Sequence, residues 1–337
     1  MRKVNLMVMT GLLAVVMAGC SPVDEAKSML AGASASPDSQ TEDASDAASA
    51  EQNVQAEAAD SAALDALVEG KNTISFKNFA DNPQDSSDDY ALDVIGSIPT
   101  DKEYTLSELK DELNKNYDNG VESMEYAYID CGADGVKEMA LRIQGPFIEP
   151  GSKVTLIIKE IDSKLQVVYA YAEWARSETN INEFGFISGG GSGGATLHVS
   201  DAACIDADGK YKFGYYEEEQ IGIEQFADFR EHDDFSGVEY EGLICVYTLG
   251  LERSEEAAGA EEYYSYLVCD SETNEPVDIP NLYTDSPHKT VMDSFKDIKF
   301  VTIDELKKKK EEKLTSIGVT EQIKNGNIPE YKEITTN

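Results

Sequence analysis

Ser192 has the most familiar catalytic context in this sequence. It is the central residue of the segment 190–194, Gly-Gly-Ser-Gly-Gly, which satisfies the G-x-S-x-G pattern of serine hydrolases. That chemistry needs a strand before the serine and a helix after it, because the hydroxyl is held on a strained turn. Residues 195–199, Ala-Thr-Leu-His-Val, form a β-type run instead. We therefore predict a flexible glycine loop here and no nucleophile.

The other groups suited to catalysis show no informative spacing. His198, His232 and His288 are not part of H-E-x-x-H or a similar metal-binding pattern. His232 begins a His-Asp-Asp segment, which we interpret as an exposed acidic loop. With 65 Asp and Glu residues, some pair is expected at glycosidase spacing by chance alone. The sequence therefore predicts no catalytic and no cofactor-binding residue.

Cys20 ends a segment with the features of a secretory signal. Arg2 and Lys3 come first, a mainly apolar stretch covers 4–16, and Ala18-Gly19 precede the cysteine. The apolar stretch is too short for a membrane-spanning helix. The segment resembles a bacterial lipoprotein signal, which implies cleavage before Cys20 and acylation of its sulfur with palmitate-type chains. An ordinary signal peptide with a chance cysteine is the alternative.

The strongest internal motif spans residues 126–141, Tyr-Ala-Tyr-Ile-Asp-Cys-Gly-Ala-Asp-Gly-Val-Lys-Glu-Met-Ala-Leu. It resembles a segment that recurs in secreted proteins and lipoproteins of Gram-positive anaerobes. That segment has an aromatic strand, a turn of Asp-x-Asp/Asn/Gly-x-Asp-Gly type, and Glu-Leu at the start of the next strand. The resemblance implies a strand–turn–strand unit and does not imply an activity.

Several turns of this type bind calcium, because hard cations prefer clustered carboxylate and carbonyl oxygens. By position, the resemblance implies Asp130 and Asp134 as side-chain ligands and Val136 as a carbonyl ligand. Glu138 would be a direct or water-bridged ligand. Gly132 stands where a ligand-bearing side chain is usual, so the loop is degenerate. The alternatives are a calcium site, with calcium as the one cofactor implied, or a tight turn built on Asp-Gly.

Four cysteines remain when Cys20 is set aside: Cys131, Cys204, Cys245 and Cys269. In an exported chain this even number allows two disulfides, with three pairings open. A domain of this length can also build its core without disulfides. Buried free thiols are therefore the alternative, and no local spacing indicates a zinc site.

Composition divides the chain into three parts. Residues 1–19 are the predicted signal peptide, and 20–62 are a predicted disordered, acidic, Ala/Ser-rich tether. Residues 63–337 are a predicted globular domain, as one body or two closely packed halves. The net charge of −37 repels phosphate backbones, so nucleic acid is excluded as an expected partner.

The predicted fold is α+β, a mostly antiparallel β-sheet region flanked by N-terminal and C-terminal amphipathic helices. Capping boxes at Thr105-x-x-Glu108 and Thr302-x-x-Glu305 predict the two helices. Between them, short β-type runs follow one another without helical crossovers, which predicts antiparallel pairing. Asp-Ala-Asp-Gly at 206–209 is predicted to be a hairpin turn, with a second calcium loop as its alternative. The run Lys307–Lys310 is predicted to be a solvated helix face.

These features favour a membrane-anchored, surface-exposed lipoprotein with a non-enzymatic ligand- or partner-binding module. We expect it at the cell membrane, lipid-anchored on the extracytoplasmic face, with an extracellular ligand or protein as its partner. The alternative is an extracytoplasmic hydrolase acting on cell-wall polymer or glycan. A solute-binding subunit of an importer is disfavoured, because such proteins alternate strands and helices through two α/β lobes. Tyr169 and Tyr171 share one strand face and are interpreted as half-buried sheet packing, and the single Trp174 argues against a sugar-stacking platform.

Overall fold

This computed structural model describes residues 61–81, 88–117, 120–145, 147–223, 226, 238–253 and 262–335, which all belong to one unit. The predicted signal peptide, Cys20, all but the end of the predicted tether, and His232 lie outside the described residues. Within the described part of the chain, no helix is long and apolar enough to cross a bilayer.

Seven strands form a first sheet, called sheet A. They are β1 (Ile74–Ser75), β2 (Glu103–Tyr104), β3 (Ser123–Ile129), β4 (Glu138–Gln144), β5 (Lys153–Ile161), β6 (Lys164–Glu173) and β14 (Lys332–Glu333). Their spatial order is β14-β3-β4-β5-β6-β1-β2, and only the β1–β6 pair is parallel. The turn between β5 and β6 has Asp162 and Ser163 at φ 51° and 61°, the backbone that a two-residue hairpin needs.

Seven further strands form sheet B. They are β7 (Ser177–Ile181), β8 (Phe186–Ser192), β9 (Leu197–Ile205), β10 (Tyr211–Ile221), β11 (Leu243–Gly250), β12 (Glu262–Cys269) and β13 (Pro276–Val277). Their spatial order follows the chain, and every neighbouring pair is antiparallel. Residues 206–209 form the β9–β10 turn, with Gly209 at φ 78°, which confirms the predicted hairpin.

The described part of the chain also contains seven helices. They are α1 (Ala62–Val68), α2 (Lys77–Asp81), α3 (Asp89–Ile95), α4 (Leu106–Asn116), α5 (Pro287–Met292), α6 (Ile303–Ser316) and α7 (Glu321–Lys324). Both predicted capping boxes are formed, by Thr105 with Glu108 at α4 and by Thr302 with Glu305 at α6. The fold is α+β.

Side chains alternate in direction along β6, so its two faces contribute to two different hydrophobic cores. Ala170 and Ala172 belong to a core with the apolar residues of α1, α3 and α4. Tyr169 and Tyr171 point the other way, into a core that also contains Ile187 of sheet B. The inner face of sheet A therefore packs against sheet B, and the space between them is where side chains of both sheets meet.

The predicted glycine loop is wrong in its first half. Gly193 and Gly194 lie in the turn between β8 and β9, but Gly190, Gly191 and Ser192 are part of β8. The backbone of Gly190 and Gly191 pairs with β7 on one side and β9 on the other. Glycine is a poor strand former because it has no side chain to pack. Pairing on both edges offsets that deficit here, and the missing side chains leave room between the sheets.

The lysine run on α6 is only partly solvated. Lys307 and Lys308 are exposed, as predicted. Lys309 lies over the ring of Tyr263 at 3.7 Å, and Lys310 pairs with Glu217 at 2.9 Å. The prediction is wrong for these two residues, because they attach α6 to strands of sheet B.

Candidate functional site

A cavity of about 560 Å³ lies between the two sheets. Strand β6 bounds it on the sheet A side, and strands β7 to β10 bound it on the sheet B side. Its volume falls in the range of about 300–1,000 Å³ that is typical of small-molecule sites. Aromatic side chains from both sheets line it, together with a few polar groups.

The buried side of the cavity is built from tyrosines. The rings of Tyr169 and Tyr211 stack with centroids 4.4 Å apart and planes at 11°. Burial raises the pKa of Tyr211 to about 12, so its hydroxyl is neutral and can donate a hydrogen bond. The Tyr171 hydroxyl is buried and has no hydrogen-bond partner in the described part of the chain. Tyr169 and Tyr171 are buried and line the cavity. The sequence-based interpretation of these two residues as half-buried sheet packing is therefore wrong.

Three further aromatic residues line the cavity where it opens to solvent. Tyr90 is 45% exposed and Tyr216 is 39% exposed. Trp174, the only tryptophan of the chain, contacts Tyr90 with ring centroids 4.2 Å apart. The sequence argument against an aromatic platform relied on the single tryptophan and interpreted Tyr169 and Tyr171 as sheet packing, whereas tyrosines from distant segments line the same cavity as Trp174.

A β-bulge directs Tyr216 into the cavity. The pairing of β9 with β10 shifts between Phe213 and Tyr215, so the strand contains one extra residue at this point. Tyr211, Phe213 and Tyr216 therefore line the cavity, while Tyr215 packs on the opposite face beside α6. Gly214 is required at the bulge, because a Cβ there would lie 2.5 Å from the carbonyl oxygen of Ala202.

Asp201 lies in the wall formed by sheet B. It is directly opposite Gly189 on β8, which in turn is opposite Thr179 on β7. A Cβ at position 189 would lie 2.4 Å from Oδ1 of Asp201 and 3.1 Å from Oγ1 of Thr179. The glycine therefore makes room for the carboxylate, which occupies the space that a side chain at 189 would fill.

No described residue donates a hydrogen bond to the Asp201 carboxyl group or forms an ion pair with it. Burial raises the pKa of this carboxyl above its usual range. Asp201 is only partly buried, so its carboxylate, an acceptor without a donor among the described residues, is accessible to a ligand.

Two arginines bring positive charge to the cavity lining. The chain has only five arginines against 23 lysines, yet Arg176 and Arg253 both line the cavity and no lysine does. The Arg253 guanidinium lies over the Tyr211 ring at 5.3 Å. Guanidinium groups offer several fixed donors and stack on aromatic rings, which makes them suited to ligand contacts.

The second acid of the lining, Asp88, has a structural role. It is the N-cap of α3, where its Oδ1 accepts the N–H of Ala91 at 2.6 Å. Its Oδ2 accepts the N–H of Ala172 in β6 at 2.9 Å. Both oxygens are therefore engaged in fixing α3 to sheet A, which positions Tyr90 at the opening.

The predicted calcium ligands do not form one cluster. Asp130 accepts the N–H groups of Asp134 and Gly135, and Asp134 accepts that of Val136, so both acids build the turn itself. Glu138 points into the protein, is 0% exposed and pairs with Lys159. Among the residues described, no group of three or more His, Cys, Asp or Glu side chains could hold a metal ion. Calcium binding at this turn stays one of the two alternatives that the sequence leaves open.

The four cysteines of the domain, Cys131, Cys204, Cys245 and Cys269, are buried free thiols. The sequence left two alternatives open, two disulfides or buried free thiols, and the structure has the free thiols. Cys245 and Cys269 lie on neighbouring strands with their sulfurs 3.3 Å apart. Cys20, the predicted lipidation site, lies outside the described residues.

The sequence singled out part of the cavity and missed the rest. Trp174, Tyr169, Tyr171 and Ser192 were noted and all line the cavity, whereas Asp201 and Arg253 were not noted. Asp201 is one of 65 acids and nothing in its neighbours distinguishes it. The scarcity of arginine was the available signal, because two of the five arginines line one cavity. Comparison of the chain with protein-family models, with curated proteins and with solved structures gave no match.

Proposed function

We propose that this protein is a membrane-anchored, surface-exposed lipoprotein whose globular part binds a ligand in the cavity between the sheets. The anchor is a lipid on Cys20, and the working face is extracytoplasmic. The proposal of an anchor is supported by the signal-like segment that ends at Cys20. The net charge of −37 supports the exclusion of nucleic acid from its partners.

One observation carries the binding function: an aromatic cavity of about 560 Å³ that contains a partly buried carboxylate with no donor among the described residues. Aromatic walls and an acceptor of this kind favour a ligand that covers the rings and donates to the acid. We also propose that the helices before and after the strand region cover the outer faces of the sheets. The space between the sheets is then the place for a ligand.

Trp174 provides a direct test, because the only tryptophan of the chain lines the cavity. The full chain is titrated with a library of sugars, amino acids, nucleosides and small amines while tryptophan emission is followed. We expect at least one compound to change the emission saturably, and calorimetry should give the same affinity. If neither method detects binding of any compound, the proposed function is wrong.

A matched pair of variants locates the site. Val199→Phe places a larger side chain in the cavity lining and should weaken binding at least about tenfold, because the ligand and the ring compete for space. His198→Phe is the control on the same strand, since neighbouring residues of a strand point to opposite faces. Equal effects of the two variants would contradict binding in the cavity.

Hydrolysis of a glycan is the second candidate function, and Asp201 is the observation that favours it. A partly buried carboxyl whose pKa is raised by desolvation has the environment of a proton donor. A glycosidase needs a second, ionised carboxylate, and Asp88 uses both oxygens in backbone hydrogen bonds. Binding without turnover is therefore the better supported function. If the protein releases reducing ends from a glycan and Asp201→Asn abolishes this release, hydrolysis becomes the better supported function.

A further inference from the structure

We infer that the ligand of the cavity is a neutral carbohydrate, an inference that rests on the proposed function of the cavity as a binding site. Three features select this class in combination. They are aromatic faces at the opening, an acceptor without a donor in the wall, and guanidinium donors on the lining.

The aromatic faces at the opening call for a flat apolar partner. Tyr90 and Tyr216 are large side chains left 45% and 39% exposed, and Trp174 lies against Tyr90. Exposed aromatic groups beside a cavity mark binding surfaces, because their burial by a ligand is favourable. A pyranose ring presents a flat face of C–H groups that can stack on such rings.

The acceptor in the wall calls for a donor on the ligand. Asp201 has no hydrogen-bond partner among the described residues, and the hydroxyl of Thr179 borders the same space across Gly189. The carboxylate is partly buried, and a ligand hydroxyl that donates to it would supply the hydrogen bond that no described residue supplies. Hydrogen bonds to a charged group are the stronger kind.

Arg176 calls for an acceptor on the same ligand. A guanidinium has donors only, so whatever Arg176 binds must accept. A hydroxyl group both donates and accepts. Neighbouring hydroxyls of one sugar ring can therefore serve the carboxylate and a guanidinium at once, while the ring face contacts the aromatic side chains.

Charged ligands fit the same lining less well. An organic cation would suit Asp201 and the aromatic rings but would meet two guanidinium groups. An organic anion would suit the arginines but would meet Asp201 and the field of a chain of net charge −37. Two acids and two arginines make the lining neutral in sum, and a neutral polyhydroxylated ligand uses both kinds of group.

The experiment compares three classes of probe by Trp174 emission and by calorimetry with the full chain. The probes are glucose, galactose, N-acetylglucosamine, maltose and cellobiose as neutral sugars, choline as a cation and benzoate as an anion. We expect saturable binding of at least one sugar. Its affinity should be unchanged between about 50 mM and about 500 mM NaCl, because screening weakens only interactions between charges.

Variants of the lining test the assigned contacts. Asp201→Asn keeps the shape but loses the charge, and it should weaken sugar binding about tenfold. Tyr216→Ala removes an exposed ring and should also weaken binding about tenfold. Asp208→Asn is the control, because Asp208 is an exposed residue of the β9–β10 turn, and it should bind as the unchanged protein does. Thermal unfolding of each variant verifies that it is folded.

The outcomes separate this inference from the proposed function. Binding of choline or benzoate without any sugar would overturn the carbohydrate inference and leave the cavity as a binding site. No response to these probes or to the wider library would overturn both. Sugar binding that Asp201→Asn and Tyr216→Ala leave unchanged would locate the sugar elsewhere and overturn the inference.

Discussion

Asp201 is the residue at which stability and ligand binding are in conflict. Its carboxyl is desolvated beside aromatic rings and has no partner among the described residues. An apolar or amide side chain of similar size would suit the free protein better. Retaining the acid therefore makes sense if a ligand supplies the missing donor, since binding sites often reduce stability for the sake of function.

The first prediction follows from the raised pKa of Asp201. Because the native state holds this proton more tightly than the unfolded state, stability falls as the pH rises from about 4 through the native pKa. Asp201→Asn removes that loss, so its thermal midpoint should exceed that of the unchanged protein at about pH 7. At about pH 3, where the acid is protonated in both states, the difference should disappear.

Circular dichroism at both pH values measures this effect, with Asp208→Asn as the exposed control that should leave the midpoint unchanged. A gain of the same size at both pH values would assign it to packing, and it would contradict the electrostatic account of Asp201.

The second prediction concerns the four buried thiols. Burial raises the pKa of Cys204 to about 11 and that of Cys245 to about 12, and it raises the pKa values of Cys131 and Cys269 as well. Only a thiolate reacts with alkylating reagents, so iodoacetamide at about pH 8 should label none of the four in the native protein. In guanidinium chloride without reductant it should label all four, as peptide mapping by mass spectrometry would detect. Labelling of only Cys131 and Cys204 would reveal a Cys245–Cys269 disulfide.

At the scale of elements, local chemistry made much of the fold predictable. The helices that start at Thr105 and Thr302 were predictable because a capping box is complete within four residues. Strands β5 and β6 were predictable with their bounds, because the Asp162-Ser163 turn and the apolar runs beside it are also local.

The cavity was not predictable, because its parts depend on distant pairings. Gly189 belongs to a strand only because β7 and β9 pair with it on both sides. Tyr216 faces the cavity only because of a bulge in the pairing of β9 with β10. Asp88 positions Tyr90 through a hydrogen bond to a residue 84 positions away. Single-sequence patterns contain none of this information.

The third prediction tests the buried ion pair that joins β4 and β5. Glu138 is 0% exposed, and its two oxygens accept from Lys159 and from the N–H of Cys131. Lys159→Met would leave the carboxylate buried without its counter-charge, so we expect a loss of about 3–5 kcal/mol in the free energy of unfolding. Lys164→Met is the control, because Lys164 and its partner Glu103 are exposed. That change should cost less than about 1 kcal/mol. Equal shifts of the two urea midpoints would refute a structural role for the buried pair.

The fourth prediction concerns the turn at Asp130. Its carboxylate accepts two backbone N–H groups of the turn, so Asp130→Ala should lower the free energy of unfolding by about 1.5–3 kcal/mol. Because these bonds already use the acids, we expect millimolar calcium to leave the thermal midpoint unchanged. A rise in the midpoint with calcium, abolished by Asp134→Asn, would instead establish the calcium loop that the motif resembles.

At the scale of the whole molecule, the chain is strongly negative whereas the cavity lining is neutral in sum. The chain has 65 acidic and 28 basic residues, whereas the charged residues of the cavity lining are two acids and two arginines. The general negative charge keeps the chain soluble and repels anionic surfaces. The neutral lining makes binding in the cavity depend on contacts between the ligand and individual residues.

The fifth prediction concerns the membrane. Because a chain of net charge −37 is repelled by anionic headgroups, electrostatic attraction does not hold it at a bilayer, so the proposed anchoring depends on acyl chains on Cys20. In the producing cell we expect the protein in the membrane fraction, resistant to high salt and released by detergent. Cys20→Ala should move it to the soluble fraction or leave it unprocessed.

Ser21→Ala is the matched control at the neighbouring position, since it keeps the cysteine and should leave the protein in the membrane fraction. Membrane retention of Cys20→Ala in processed form would contradict the lipid anchor. Sugar binding by the released variant, unchanged from that of the anchored protein, would show that the anchor sets only where the cavity works and that the domain alone performs the binding.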